Sequence, residues 1–254
     1  MAIATVNPFT NQTEQRFTED TPEKIELALS AADAEFPRWR RTSYADRAAL
    51  LHKVAAIMRE QKPKLSMLIT VEMGKLIAES VGEIELSAAI FDYYADNGER
   101  FLADTPVKTE RGEAMIRHSP IGVVLGVEPW NFPFYQVARF AAPNVMIGNV
   151  VLVKHASNVP QCAIAIENIF REAGAPAGLY TNLLISGHQV AAVLDDPRIK
   201  GASLTGSEEA GSSLAGAAGK NVKKSVLDLG GRDPFIVLDD ADIDKTVNGR
   251  TWAA

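Results

Sequence analysis

Cysteine is almost absent from this sequence: Cys162 is the only one among 254 residues. A single thiol cannot form a disulfide within the chain, which excludes a small disulfide-stabilised scaffold. Long hydrophobic runs are absent too, and no segment approaches the roughly 20 apolar residues of a membrane span. Residues 1–12, MAIATVNPFTNQ, have neither the basic start nor the apolar stretch of a secretory signal. We therefore expect a cytoplasmic protein without a membrane partner.

Positive charge is in the minority. The chain has 26 lysines and arginines against 32 aspartates and glutamates, a net charge of −6. A protein that holds nucleic acid through its phosphates needs the opposite balance, so no nucleic-acid partner is expected. Apolar residues, at 46%, suffice for a sizeable core in one large domain or two ordinary ones. No metal site is predicted, because the histidines lack metal-ligand spacing: His52, His118, His155 and His188.

The N-terminal part of the chain predicts helices with recognisable ends. Thr21 followed by Pro22 is typical of a helix start, because a cap residue precedes proline at the first helical position. Ser43 and Asp46 have the spacing of a capping box. Gly74 is placed as the C-terminal stop of a helix over residues 64–73. A long amphipathic helix follows over about residues 76–102.

From residue 134 onward, strand and helix patterns alternate. Such alternation is typical of a parallel sheet with helices on its faces. The predicted fold class is therefore α/β, with a Rossmann-like open parallel sheet, helices on both faces and a protruding β-hairpin. The predicted helices cover residues 134–147, 159–173, 189–194 and 207–218, and the predicted strands cover residues 149–154, 180–185, 200–204, 224–229 and 235–238.

The stretch from Ile121 to Asn131, IGVVLGVEPWN, is the centre of the prediction. Its apolar run predicts a buried strand, which Pro129 and Pro133 end by forcing an irregular turn. Asn131 then lies at the carboxyl edge of a strand, where open α/β sheets bind ligands. Its amide can donate to a developing oxyanion. The alternative is an aromatic–proline corner in which Asn131 satisfies local backbone groups.

Four segments carry a resemblance to a known family. They are PWNFP at residues 129–133, GNVVLVKHAS at 148–157, LTGSEEAG at 204–211 and LDLGGRDP at 227–234. In this order and at these separations they resemble the NAD(P)-dependent aldehyde dehydrogenase superfamily, most of all its succinate-semialdehyde dehydrogenase branch. The resemblance runs from about Asn7 to the last residue. It implies the N-terminal part of the aldehyde dehydrogenase fold, because the family's catalytic cysteine lies downstream of the LGG motif.

The resemblance implies a cofactor, NADP or NAD, at the strand ends. Lys154 would hold the adenosine ribose, and Gly206 and Ser207 would contact the pyrophosphate at a helix N-terminus, which suits a phosphate. The spacing from Gly206 to Gly211 is not the usual dinucleotide fingerprint, so the residues alone leave a plain N-capped helix equally open. The full set of expected cofactor contacts is Val127, Pro129, Trp130, Asn131, Lys154, Ser157, Gly206, Ser207, Leu229 and Gly230.

Ser157 favours NADP. Many NAD-using members of the family carry a glutamate three residues after the lysine, where it accepts from the ribose hydroxyls. A carboxylate about 5 Å from a 2′-phosphate would cost roughly 3 kcal/mol at an effective dielectric constant near 20. Because this chain has serine at that position, we expect it to accept NADP, and to prefer it over NAD.

Two residues are candidates for catalysis, and the single cysteine is not one of them. Asn131 is the candidate oxyanion donor. Asp228, at a strand end before two glycines, is the candidate general base that activates water. The family typically has glutamate there, one methylene longer, which puts efficient deacylation in doubt; the alternative is an aspartate capping a turn near Lys223 or Arg232. Cys162 starts the apolar face of a helix, so we expect a buried, inert thiol.

The expected organisation has three parts. Residues 1–105 and 128–229 form a cofactor-binding domain, residues 106–127 form an oligomerisation hairpin that turns at Arg111-Gly112, and residues 230–254 begin an incomplete catalytic domain.

The implied reaction oxidises a small aldehyde by hydride transfer to NAD(P). Succinate semialdehyde is the first candidate substrate, and lactaldehyde and glutarate semialdehyde are the alternatives. The other alternative is a truncated nucleotide-binding fragment without activity. At full length we expect a homo-oligomer. In the fragment the hairpin edge would be unpaired, so the fragment should associate loosely.

Overall fold

The structure is a computed structural model that describes residues 3–231 and 235–247. Its centre is a five-stranded sheet in the order β7-β6-β5-β8-β9, in which all neighbours are parallel, and two antiparallel hairpins, β1-β2 and β3-β4, lie outside it. The strands are β1 Ala4–Asn7, β2 Gln12–Arg16, β3 Thr105–Val107, β4 Ala114–Ile116, β5 Val123–Glu128, β6 Val150–His155, β7 Tyr180–Asn182, β8 Ile199–Gly206 and β9 Lys224–Leu229.

The helices of the described residues begin and end close to the predicted positions. Thr21 caps the first helix, and Ser43 and Asp46 form the predicted capping box of the second. Gly74 ends the third with a left-handed φ of 79°, a conformation that glycine adopts without steric cost. The helices are α1 Pro22–Trp39, α2 Tyr44–Glu60, α3 Lys62–Met73, α4 Ile77–Phe101, α5 Tyr135–Ile147, α6 Pro160–Glu172, α7 Val190–Asp195 and α8 Glu208–Lys220.

The order of the strands determines which helices cover which face. The chain moves outward from β5 through β6 to β7, then returns to β8 on the other side of β5 and ends at β9. Because parallel crossovers are right-handed, α5 and α6 cover one face and α7 and α8 the other. Side-chain directions agree: a Cβ on Gly126 would collide with Phe140 of α5, and one on Gly211 of α8 would collide with Leu229 of β9. The predicted open parallel sheet with helices on both faces is confirmed.

The core lies between the sheet and the α2–α6 layer. Strands β5 and β6 are buried along nearly their whole length, as expected for strands covered on both faces. The largest fully buried side chains include Phe91 of α4, Phe170 of α6 and Phe134 at the start of α5. Phe91 and Phe170 meet edge to face with centroids 5.7 Å apart, so α4, α6 and the sheet share one core.

Three predicted elements differ from the structure. The hairpin was predicted over residues 106–127, but residues 123–128 are the central strand β5, so the hairpin ends before Ile121. The error arose because the apolar run at Ile121 follows β4 closely, and only the pairing partners distinguish a hairpin strand from a sheet strand. Residues 235–238, predicted as a strand, have no regular secondary structure, and the strand predicted at 180–185 is shorter.

The described residues contain no helix that is both long and apolar enough to cross a membrane. A short helical segment covers residues 243–247 at the end of the described part of the chain.

Candidate functional site at the carboxyl edge of the sheet

The strand register brings the four sequence motifs to one edge of the sheet. Val127 at the end of β5 lies beside Lys154 of β6 on one side and Leu204 of β8 on the other. One step along, Thr205 of β8 lies beside Asp228 of β9. The strand order reverses at β5, so this edge is the topological switch point where open α/β sheets bind ligands.

The turn after β5 exposes two of the predicted residues. Trp130 is 49% exposed, and Asn131 is also exposed. The Asn131 side chain makes no hydrogen bond to any other part of the chain that the structure describes, so the alternative in which it satisfies local backbone groups is not what the structure has. Its amide is free to donate to a ligand bound at this edge.

His155 fixes the far end of the same turn. Its Nε2 lies 2.8 Å from the carbonyl oxygen of Pro133, and its Nδ1 accepts from the backbone N–H of Ala156 at 2.9 Å. Burial lowers the pKa of His155 to about 4, so the ring is neutral at pH 7 and its Nε2–H donates. His155 therefore ties the end of β6 to the turn that carries Asn131.

Lys154 is a buried cation at the end of β6. Its residue is 9% exposed, and burial lowers the pKa of its ammonium group. Within residues 3–231 and 235–247 no hydrogen bond or ion pair involves its Nζ. A buried, unpaired ammonium is costly unless a ligand supplies the partner, so the position fits a phosphate or a ribose hydroxyl.

Ser157 lies three residues after Lys154 and is partly buried. Its carbonyl oxygen accepts from the N–H of Ala4 at 3.1 Å, so the first strand anchors this loop. The loop thus presents a lysine and a serine, and no carboxylate, at the place where the sequence motif predicts the adenosine ribose.

Gly206 and Ser207 join β8 to α8. Ser207 caps α8, and its hydroxyl oxygen accepts from the N–H of Ala210 at 3.2 Å, which leaves its hydroxyl hydrogen available to a ligand. A Cβ on Gly206 would meet only Leu204, at an ordinary 3.5 Å, so no protein packing demands glycine there. The N-terminus of α8 has the unpaired N–H groups and the positive dipole end that suit an anion, and the pyrophosphate contact of Gly206 and Ser207 stays a prediction.

Leu229 and Gly230 close the edge at β9. The Leu229 side chain packs on Gly211 of α8, and the Gly230 N–H donates to the carbonyl oxygen of Gly206 at 3.1 Å. The predicted residues of β8 and β9 are thus held together by backbone contacts.

Asp228 pairs with an arginine that the sequence analysis did not single out. Its Oδ2 lies 2.7 Å from Nη2 of Arg139 on α5, and its side chain is 49% exposed. Lys223, one of the partners considered for a turn cap, instead donates to the carbonyl oxygens of Leu194 and Asp196. Arg232, the other, lies outside the described residues. The alternative of a turn cap near Lys223 is therefore wrong, and Asp228 faces α5 at the site.

Glu128 is a second residue that the sequence analysis missed. It ends β5 directly before Pro129 and is 3% exposed, and neither carboxyl oxygen has a hydrogen-bond partner in the described part of the chain. Burial raises the pKa of Glu128 well above its usual range, against the opposing effects of Arg139 and the Thr205 hydroxyl. An acid inside an apolar run was the available signal.

Cys162 lies in the first turn of α6, which follows the carboxyl end of β6. It is fully buried, its backbone N–H donates to Glu72, and burial raises the pKa of its thiol well above the usual range. A protonated, buried thiol is a poor nucleophile. Among the described residues, no group of three or more histidines, cysteines, aspartates or glutamates is arranged to hold a metal ion.

The carboxyl edge of the sheet thus brings together a buried lysine, an exposed amide and an exposed carboxylate. The family model described as "Aldehyde dehydrogenase family" matches residues 1–254, so the chain belongs to that family. Fold and family predicted from the four motifs are thereby confirmed.

Two curated relatives and one solved structure share a name that specifies the substrate. A succinate-semialdehyde dehydrogenase [NADP(+)] of Deinococcus radiodurans is 47% identical over 245 residues, 96% of this chain and 51% of the relative. A probable succinate-semialdehyde dehydrogenase [NADP(+)] of Synechocystis is 47% identical over 247 residues, which are 97% of this chain and 54% of that relative. The crystal structure of succinic semialdehyde dehydrogenase from Streptococcus pyogenes in complex with NADP+ has a TM-score of 0.93 and 46% identity, over 96% of this chain and 54% of that one. The chain thus spans about half the length of the relatives it matches.

Proposed function

We propose that these residues bind NADP at the carboxyl edge of the sheet, as the cofactor-binding part of an enzyme that oxidises succinate semialdehyde to the carboxylate. The observation that carries the proposal is Lys154, a buried ammonium group without a partner in the described chain, at the end of β6. The cofactor would accept the hydride. The names of the curated relatives, which specify NADP(+), support the same cofactor.

The proposed contacts follow the edge from β6 to β9. Lys154 and Ser157 would hold the adenosine ribose and its 2′-phosphate, while Gly206 and Ser207 would meet the pyrophosphate at the N-terminus of α8. The reactive end would lie against β5 and β9. The residues proposed there are Val127, Pro129, Trp130, Asn131, Leu229 and Gly230.

Arg139 supports a substrate that carries a carboxylate. Its guanidinium is 42% exposed and lies beside Asp228 of β9, the residue proposed to activate water. Arginine binds carboxylates through paired, charge-assisted hydrogen bonds. Succinate semialdehyde has a carboxylate at the end opposite its aldehyde, so Arg139 would bind that group. Lactaldehyde lacks this carboxylate, which makes it the weaker alternative, whereas glutarate semialdehyde differs by one methylene.

Asn131 and Asp228 would divide the remaining chemistry. The exposed amide of Asn131 would donate to the oxygen of the aldehyde as negative charge develops on it. Asp228 would accept a proton from the water that releases the product. The family reaction also needs a thiolate, and the only cysteine in the sequence is the buried Cys162. We therefore expect these 254 residues alone to bind cofactor without turning over aldehyde.

The domain organisation is part of the same proposal, with one changed boundary. Residues 1–105 and the sheet from β5 to β9 would form the cofactor domain, and residues from 230 onward would begin the catalytic domain. The hairpin of β3 and β4, whose Val107, Met115 and Ile116 are exposed, would pack against another subunit of a cytoplasmic homo-oligomer. Sedimentation that gives a concentration-independent monomer for this chain would count against the hairpin contact.

The test of the proposal is cofactor binding. Calorimetric titration of the chain with NADP and with NAD at one ionic strength should give a dissociation constant at least about tenfold lower for NADP, a difference of about 1.4 kcal/mol. Ser157→Glu should reverse the preference, because the added carboxylate repels the 2′-phosphate and accepts from ribose hydroxyls.

Gln12→Glu is the matched control, since it adds one carboxylate on the exposed strand β2. It should leave the ratio of the two dissociation constants unchanged. Tenfold tighter binding of NAD to the unaltered chain, or no binding of either cofactor, would overturn the proposal.

A further inference from the structure

A buried ion pair lies behind the turn that carries Asn131. Lys75, in the short link between α3 and α4, places its Nζ 2.5 Å from Oε2 of Glu83 on α4, and the two side chains are 7% and 0% exposed. A buried ion pair persists only when further hydrogen bonds compensate its lost hydration. The position of those further contacts therefore shows what the pair holds in place.

Glu83 holds the start of α5. Its Oε1 accepts from the backbone N–H groups of Phe134, at 2.9 Å, and Tyr135, at 3.3 Å. Helix α5 has no side-chain cap of its own, since Phe134 occupies the cap position. A carboxylate at that end also matches the positive end of the helix dipole. Glu83 thus supplies from another helix the cap that the sequence of the turn lacks.

Lys75 holds Phe132, two residues before the start of α5. Its Nζ lies 3.4 Å from the ring centroid of Phe132, a close cation–π contact. His155 donates to the carbonyl oxygen of Pro133 from the opposite side. Three consecutive residues of the turn, Phe132, Pro133 and Phe134, are therefore held by charged or buried polar groups. The outer residues Trp130 and Asn131 remain exposed.

We propose that Lys75 and Glu83 are positioning residues, which fix the turn of residues 129–133 so that Trp130 and Asn131 face the bound cofactor. The expected effect on cofactor binding rests on the proposed function, whereas the contacts of Lys75 and Glu83 with the turn are present in the structure. Without the pair, the turn would retain its sequence and its exposed amide, but would sample orientations that do not meet the cofactor.

Glu72 provides an internal control, because it performs the same structural task elsewhere. It is buried and accepts from the N–H groups of Gln161 and Cys162 at the start of α6, and from the hydroxyl of Thr5. Loss of either carboxylate should destabilise the fold, since each leaves buried N–H groups with a weaker acceptor. Only Glu83 contacts the turn.

The experiment compares Glu83→Gln and Lys75→Met with Glu72→Gln. The first readout is the near-ultraviolet circular dichroism of Trp130, identified by its loss in Trp130→Phe, and the second is the dissociation constant for NADP. We expect Glu83→Gln and Lys75→Met to change the Trp130 signal and to weaken NADP binding at least fivefold at temperatures where the fold persists. Lys75→Arg, which keeps the charge, should retain both.

Glu72→Gln should lower the melting temperature while leaving the Trp130 signal unchanged. If either single variant fails to fold, the double variant Lys75→Met/Glu83→Gln, which has no unpaired buried charge, replaces it. Wild-type signal and affinity in the Glu83 and Lys75 variants would overturn the proposal, as would the same change of the Trp130 signal in Glu72→Gln. If the unaltered chain binds no NADP, the proposed function fails, while the Trp130 signal still decides whether the pair positions the turn.

Discussion

The two halves of the carboxyl edge differ in how completely this chain builds them. At β5 and β6 the polar residues Glu128, Lys154 and His155 are all less than one tenth exposed. At β9 the Asp228 side chain is 49% exposed, and the neighbouring Val226 and Leu227 are exposed as well. The first half has strands on both sides, whereas β9 pairs only with β8 among the described residues.

This difference separates two tasks. A buried cation without a partner can keep its position only where the residues around it are rigid and well packed. The strands on both sides of β6 provide that packing. An exposed aspartate on an edge strand has no such surround within the described chain, and its ion pair with Arg139 is open to solvent. The half that holds Lys154 is therefore enclosed by the described residues, while the half that holds Asp228 is open on one side among them.

Cys162 tests how firmly the first half is closed, and the largest effect is expected there. It lies at the start of α6, and burial keeps its thiol protonated. Its reaction with a disulfide reagent should be slower in the native chain than in the denatured chain by a factor on the order of 10³ or more, because reaction requires opening of the fold. Absorbance of the released thiolate measures both rates. Rapid native reaction would mean that this half is not closed.

Lys154 tests whether the unpaired cation serves a ligand. Lys154→Met keeps an unbranched side chain of similar length and removes the charge. NADP affinity should fall about 10- to 100-fold, the loss of a charge-assisted hydrogen bond worth roughly 1.5–3 kcal/mol. Thermal stability should not fall, because no protein partner is lost. Calorimetric titration and thermal denaturation measure the two quantities.

The control for Lys154 is Lys223→Met. The Lys223 ammonium donates to two carbonyl oxygens, so its loss should lower stability and leave NADP affinity unchanged. If both variants lost NADP affinity equally, Lys154 would not differ from Lys223 as a lysine that binds a ligand rather than one that stabilises the fold.

Glu128 and Asp228 give the smallest expected effect and the most direct comparison. The register places Glu128, Thr205 and Asp228 in one row across β5, β8 and β9, with one acid buried and the other exposed. The folded pKa of Glu128 is raised above its unfolded value. Its contribution to stability is therefore fully present below the unfolded pKa, near 4.3, and is lost as pH rises toward the folded pKa.

Glu128→Gln should remove that loss, because the amide does not ionise. At pH 8 the variant should be more stable than the unaltered chain by about 1–2 kcal/mol, with the gain disappearing near pH 4. Asp228→Asn should change stability by less than about 1 kcal/mol, since an exposed ion pair contributes little. Urea denaturation across this pH range measures both, and a Glu128→Gln variant less stable at pH 8 would contradict the inference that burial disfavours the ionised form of Glu128.

Local signals in the sequence were sufficient for most of the fold. Capping residues such as Thr21 and Ser43 act on the neighbouring backbone, and Gly74 ends a helix by its own conformational freedom, so their effects are readable without tertiary information. The apolar strand runs were readable for the same reason. The hairpin boundary was not, because pairing partners distant in sequence decide whether the run after Ile121 is a hairpin strand or the centre of a sheet.

The candidate site divides in the same way. Residues within motifs, such as Asn131, Lys154 and Ser207, were found because their positions at strand ends follow from the pattern. Arg139, Lys75 and Glu83 were missed, because each acts on a residue far along the chain: Arg139 on Asp228, and the ion pair on a turn about 50 residues beyond Glu83. No local pattern reports a partner at such a separation.

The sequence by itself determined the helix ends, the strand–helix alternation and the family, since these depend on neighbouring residues and on motif order. Tertiary structure alone decided which charged groups are paired, buried or free. Lys154 and Lys223 are both lysines at the end or start of a strand, yet one lacks a partner among the described residues and the other donates to two carbonyl oxygens. That distinction depends on the packing around each ammonium group, because burial sets the energetic cost of a charge and geometry sets its compensation.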